Sequence, residues 1–171
     1  MATPFPTCYL NGAYLPLAEA RISPLDRGFL FADGVYEVVP VNRGRPFRLR
    51  QHLQPLHASL RSIRVTNPYT DAGWLAILER LAAEAGSPEA LIHRQVTRGT
   101  EFGRNHLFPQ GVAPTVFAFA NPFPQPSAAT LERGLSAVTL EDIRWDRCDI
   151  KSVALLGNVL LRQEAADAGA D

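Results

Sequence analysis

Residues 121–130, "NPFPQPSAAT", constrain the fold of this chain more than any other segment. Three prolines within ten residues withdraw backbone donors, and no long periodic pattern crosses them, so the stretch reads as a linker. It leaves 120 residues before it and 41 after it. The later part offers one strand-like run, "LSAVTLEDIRW", and one helix-like run, "KSVALLGNVLLRQEAADAG". A single strand and a single helix cannot bury a core by themselves. The expectation is an N-terminal domain over residues 1–120 and an interdomain linker over 121–130, after which residues 131–171 either pack on the first domain or start a second domain whose remainder is missing.

The first 120 residues alternate between strand and helix patterns. "CYLNGAYLPL" alternates around Asn11-Gly12, a dipeptide in which both residues tolerate positive φ, and predicts a tight hairpin. "GVYEVVPV", rich in β-branched residues, then "NRGR" and "PFRL", predict a second, longer-stranded hairpin. Pro40 has no amide hydrogen, which puts its strand at an edge or a bulge. Leu53, Leu56, Leu60 and Ile63 recur at spacings of three and four and predict a helix, with Pro55 admissible only in its first turn. "TDAGWLAILERLAAEAGSP" predicts another helix, capped at Thr70 or Asp71 and stopped by Gly86 and Pro88, with Leu75, Leu78, Ala82 and Ala85 on one side. Two strand-like runs follow, "ALIHRQVTRG" from Ala90 and "PTVFAFA" from Pro114, joined by the loop "TEFGRNHLFPQGVA". Strands interleaved with two helices define an α+β domain.

Seventeen basic and seventeen acidic residues leave no net charge, so no global field favours nucleic acid or an anionic membrane. No apolar run approaches the roughly 18 to 20 residues needed to span a bilayer. The amino terminus also lacks a charged segment followed by a long apolar one, and the chain is expected to be cytoplasmic. Cys8, Cys148 and the four histidines show no metal-ligand or redox spacing, so neither a metal site nor a disulfide framework is expected.

Sixteen of the seventeen basic residues are arginine; the exception is Lys151, in "RWDRCDIKSVALLGN". Arginine stays protonated and acts neither as nucleophile nor as general base. A lysine amine can do both when desolvation or nearby cations favour its neutral form. Arg144 and Arg147 stand seven and four residues before Lys151 and an apolar run follows it, while Asp149 would act in the opposite sense. Spacing alone leaves two readings open. One is a reactive amine; the other is a solvated lysine near a helix start, where its charge gains nothing from the macrodipole.

Four segments in register carry a specific resemblance: "DRGFLFADGVYEVV", "QVTRG", the loop containing "GRNH", and "EDIRWDRCDIKSVALLGNVLLRQEA". From about Tyr9 to Asp171 they resemble the D-amino-acid aminotransferases, a branch of the fold-type IV pyridoxal-phosphate enzymes. The resemblance implies a fold-type IV N-terminal α/β sandwich domain, followed by the first strand and helix of an incomplete cofactor-binding C-terminal domain. It implies that Lys151 forms the Schiff base with pyridoxal 5′-phosphate, then moves a proton between the substrate Cα and the cofactor's C4′. The implied activity is ping-pong transamination between D-amino acids, such as D-alanine, and 2-oxo acids. It further implies that Tyr36, Arg104 and His106 bind the substrate carboxylate across the interface of a homodimer. A guanidinium and a phenol suit that anion through charge-assisted hydrogen bonds. The Arg-x-His pair resembles the D-amino-acid enzymes more than the branched-chain aminotransferases or the aminodeoxychorismate lyases. A fold-type IV lyase using the same lysine, and a non-catalytic truncated remnant, are the alternatives.

Two features depart from that pattern. Pro55 stands where the family places a phosphate-binding arginine, and it supplies neither charge nor donor. Cofactor affinity is expected to fall unless a neighbour such as Arg50 compensates. The sequence also stops before the residues that in the family pair with the pyridine nitrogen and hold the phosphate. The expectation is an amino-terminal piece of a longer enzyme.

Overall fold

The computed structural model describes residues 3–171. The chain divides into two compact units. The first takes in the described residues up to Phe123 together with Asp149–Val153; the second holds Pro124–Cys148 and Ala154–Asp171.

The first unit is built on one sheet with strands β1 (Thr7–Leu10), β2 (Ala13–Pro16), β3 (Gly34–Asn42), β4 (Arg45–Pro46), β5 (Glu89–Thr97) and β6 (Thr115–Pro122). Their order is β2-β1-β6-β5-β3-β4, and every neighbouring pair is antiparallel. The opening hairpin turns at Asn11 and Gly12, whose φ values of 48° and 100° are the positive angles that a two-residue turn requires. Three helices accompany the sheet: α1 (Arg27–Phe31), α2 (Leu49–Ser62) and α3 (Asp71–Ala85). This is the expected α+β architecture; the short α1, within "DRGFLF", and a single 3-10 turn at Leu17–Glu19 have no counterpart in the sequence reading.

Alternation along the strands assigns the two faces of the sheet. Val35, Val39 and Val41 of β3, Ile92 and Val96 of β5, and Val116 and Ala118 of β6 are buried in one cluster with Leu53, Leu56 and Leu60 of α2 and Trp74, Ile77 and Leu78 of α3. Burying each Leu- or Val-sized side chain contributes about 1.5–3 kcal/mol. The buried stripe of α3 is Trp74, Ile77, Leu78, Leu81 and Ala82, not the expected set, and Leu75 is exposed. Trp74 takes the inward position and its indole N–H donates to Asn67 Oδ1 at 3.0 Å, which rotates the helix relative to a leucine-only stripe. The expected cap holds: Thr70 Oγ1 accepts from the Gly73 N–H at 3.2 Å, and Gly86 closes the far end at φ 62°.

Pro55 lies in the interior of α2, as its seventh residue, and not in the first turn. It leaves the Gln51 carbonyl without its helical donor, and the helix survives because Gln51 and Pro55 both face solvent, where water can take that carbonyl. The second hairpin is also shorter on its return than the sequence suggests. Pro46 withholds a donor and Arg48, at φ 50°, turns the chain out of the strand, so β4 keeps two residues and α2 begins at Leu49. Pro40 meets the edge expectation. It pairs with Leu91 of β5 on one side, and on the outer side its carbonyl accepts from the Phe47 N–H at 2.7 Å.

The core also takes in charge. Arg94 is fully buried beside Trp74, with 5.2 Å from its guanidinium carbon to the ring centre, and donates to the His52 carbonyl at 2.9 Å. Burial pushes its pKa down to about 10, against the opposing charges of Glu37 and Asp71.

The second unit contains helices α4 (Ala128–Arg133) and α5 (Leu156–Asp167). Ser127 caps α4 by accepting from the Thr130 N–H at 3.0 Å, so part of the proline-rich segment is helical. The expected strand "LSAVTLEDIRW" is not formed. Extended chain becomes a strand only beside a hydrogen-bonded neighbour, and none flanks it among the described residues. The expected helix from Lys151 starts instead at Leu156, because the residues around Lys151 pair with the sheet.

Candidate active site

The outer edge of β3 is covered by β4 only at Val41 and Asn42, which leaves its first half open. Residues of the 150–153 segment fill it: Val35 and Ser152 form an isolated antiparallel bridge. The Tyr36 N–H donates to the Lys151 carbonyl, and the Val153 N–H to the Gly34 carbonyl, both at 3.0 Å. Ile150 and Ser152 are buried, whereas Lys151 is exposed between them. Its Nζ stands 4.4 Å from the centre of the Tyr36 ring, a cation–π distance. Two residues 115 positions apart, both singled out by the sequence, therefore meet on one strand edge.

Tyr36 faces away from the helices, and so do the aromatic groups beside it. It stacks on His93 of β5 at 5.4 Å and 19°, and His93 packs on Phe119 of β6 at 5.3 Å. Burial holds His93 below its ordinary pKa; a hydrogen bond with Gln95 opposes this, and the charge of Lys151 adds to it. On the same face an open pocket of about 470 Å³ is lined by Ile22, Phe29, Gln95, Thr97 and Val153, enough for a small molecule.

Arg104 and His106 form a second pair. Both are exposed on the loop between β5 and β6 and flank the Phe31 ring, at 5.4 Å and 5.2 Å. No contact described for them reaches Lys151 or Tyr36, so the four expected residues are gathered as two pairs and not as one cluster.

The loop bearing the second pair is held by buried charges from the "DRGFLFADG" and "TRG" segments, to which the sequence alone assigns no role. Arg27, almost fully buried, donates through Nε to Asp33 and through Nη1 to Glu101, both at 2.9 Å, and to the Asn105 carbonyl at 2.6 Å. Arg98 meets the same Asp33 with two bonds, 2.7 and 2.9 Å, and reaches the Ile63 carbonyl past α2 at 2.7 Å. Burial resists ionisation of Asp33, but the bonds from Arg98 and Arg27 outweigh it and hold its carboxyl below the usual carboxylate range. At the base of the loop, Gly99 has φ 101°, and a Cβ there would overlap the Ala113 carbonyl oxygen. The signal for Arg27, Asp33 and Arg98 was present in "DRGFLFADG" and "TRG", but charge type alone does not say which arginine shares which carboxylate.

These elements define an α+β domain that presents one lysine amine on the open face of an antiparallel sheet. The chain belongs to the family described as Amino-transferase class IV, which matches residues 34–171. Among its curated relatives, the D-alanine aminotransferase of Staphylococcus epidermidis is 38% identical over 158 residues, covering 92% of this chain and 55% of that protein. The D-alanine aminotransferase of Listeria innocua is 39% identical over 158 residues, covering 91% and 54%. The chain thus spans about half the length of the curated relatives it matches. In solved structures, the branched-chain amino acid aminotransferase of Escherichia coli aligns with a TM-score of 0.84 at 20% identity, over 99% of this chain and 58% of that one. The branched-chain enzyme of T.th., complexed with N-(5′-phosphopyridoxyl)-L-glutamate, gives 0.85 at 19% identity, over 100% and 58%. At these identities the likeness establishes the fold, that of the fold-type IV aminotransferases.

Proposed function

We propose that this chain carries the lysine-bearing half of a pyridoxal-phosphate-dependent transaminase acting on D-amino acids, such as D-alanine, and 2-oxo acids. The observation that carries the reading is the only lysine, exposed, with its main chain fixed to β3 and its Nζ over Tyr36. The donor set fits the aldehyde end of pyridoxal phosphate: one primary amine on a fixed backbone, beside the Tyr36 ring that stacks on His93. At the phosphate end α2 offers the uncharged Pro55, and Arg50, five positions earlier and exposed, is the nearest cation on that helix. Bound there, the cofactor would supply an electrophilic carbon and a ring able to draw electrons from the substrate Cα.

In this reading Lys151 is the residue that would hold the cofactor through its aldehyde end, and its Nζ, when free, would be the base that moves a proton from the substrate Cα. The Tyr36 ring stands beside that amine, and its phenol belongs to the set that would receive the substrate carboxylate. Arg104 and His106 complete that set from a second copy of the chain; their exposure, and their separation from Lys151 in contact terms, support a role in trans. With an oxo acid as the amino acceptor the same residues would serve in the reverse direction, the pattern of a ping-pong exchange.

Amino-group exchange tests the proposal. With added pyridoxal phosphate, D-alanine and 2-oxoglutarate, the chain should form pyruvate and glutamate in equal amounts, and Lys151→Ala should form neither. A product released without consumption of the oxo acid would mark a lyase. Absence of turnover would overturn the reading for this chain.

A further inference from the structure

Lys151 sits at the centre of a three-residue turn. The Ser152 N–H donates to the Ile150 carbonyl at 2.7 Å, an i to i+2 closure that interrupts the strand at the reactive residue. In regular antiparallel pairing the Lys151 N–H would point to β3 along with its carbonyl. The carbonyl does accept from Tyr36, but the N–H is diverted and donates to Ser59 Oγ of α2 at 3.1 Å. Ser59 is only 3% exposed and lies on the inward face of α2, between Leu56 and Leu60. A hydroxyl in an apolar helix face is costly unless it is bonded, and the hydrogen bond described for this one goes to Lys151.

We propose that Ser59 is the positioning residue for Lys151. By accepting its amide hydrogen from a second layer of the fold, Ser59 holds the turn that projects Nζ over Tyr36. Without it the segment is free to straighten into the edge of β3, and the amine loses its fixed origin. The role rests on the reading of Lys151 as the aldehyde-binding amine.

The test compares Ser59→Ala with Ser59→Thr, which retains the hydroxyl, and with Ser62→Ala, an exposed control on the same helix. Two quantities are measured on the full chain: the rate of reductive labelling of Lys151 by pyridoxal phosphate and borohydride, and the hydrogen exchange of the Lys151 amide. Ser59→Ala should slow labelling and speed exchange, each about five- to tenfold, as expected for one lost hydrogen bond. The melting temperature and the protection of α2 should be unchanged, Ser59→Thr should restore both quantities, and Ser62→Ala should alter neither. If the wild type is labelled and Ser59→Ala labels at the same rate, this proposal alone is overturned. General loss of α2 protection in Ser59→Ala would also overturn it, because Ser59 would then serve the helix. Failure of the wild type to label at Lys151 overturns the functional reading and this proposal together.

Discussion

Tyr36 has a nitrogen base beside it on two sides: the Lys151 amine 4.4 Å from its ring centre and the His93 imidazole stacked at 5.4 Å. A second cation at His93 would have to share that space, and burial already favours its neutral form. Its folded pKa is lowered, so the unfolded chain binds the proton more readily. The contribution of His93 to stability is complete above its ordinary value of 6.5 and is lost as pH falls below it toward the folded value. Asp33 acts in the same direction but only near and below its ordinary 3.8. Urea denaturation at pH 7.5 and 5.5 lies clear of the Asp33 range, and comparison with His93→Gln separates His93 from the other three histidines: the wild type should lose measurably more stability at the lower pH than the variant. Equal losses would place the sensitivity elsewhere. At this scale the sequence was unevenly legible. Lys151 stood out by composition and by its motif, and Tyr36 by its place in "DGVYEVV". Ser59 and His93 did not, because each acts through a neighbour distant in sequence, 92 residues away for Ser59 and Lys151.

Among the elements, α2 carries the clearest conflict between local propensity and tertiary demand. Proline in a helix interior costs roughly 3 kcal/mol relative to alanine, and Pro55 occupies such a position. Pro55→Ala should raise the free energy of unfolding by roughly 1–3 kcal/mol in chemical denaturation, since the residue is exposed and makes no core contact to lose. The loop between β5 and β6 makes the opposite demand. Gly99→Ala combines a positive φ with overlap at the Ala113 carbonyl and should destabilise the domain by at least about 1 kcal/mol. A melting curve unchanged from wild type would contradict the closure described for that loop. Hairpin β1–β2, strands β5 and β6, and helix α3 were readable because their signals are local: a turn dipeptide, β-branched runs, a cap and a stop. The brevity of β4, the depth of Pro55 in α2 and the missing strand near residue 140 depend on which edges find partners, and no local pattern reports that.

For the whole molecule, the two units differ in how far they bury apolar surface. The first closes a continuous core between sheet and helices, whereas Leu131, Ile143, Trp145, Leu156, Val159 and Leu160 of the second are exposed. Residues 134–148 of that unit have neither helix nor strand and are exposed throughout. Brief proteolysis followed by mass spectrometry should therefore cut there first and leave the sheet domain intact; early cleavage within β3 or β5 would contradict the division. The proposed chemistry turns on one atom, the Nζ of Lys151, and the composition of the chain isolates it. Apart from the α-amino group, Lys151 offers the only primary amine in the sequence. Incubation with pyridoxal phosphate, borohydride reduction and peptide mapping should give one dominant adduct at Lys151, absent from Lys151→Arg. An adduct confined to the α-amino group, or none at all, would contradict the claim.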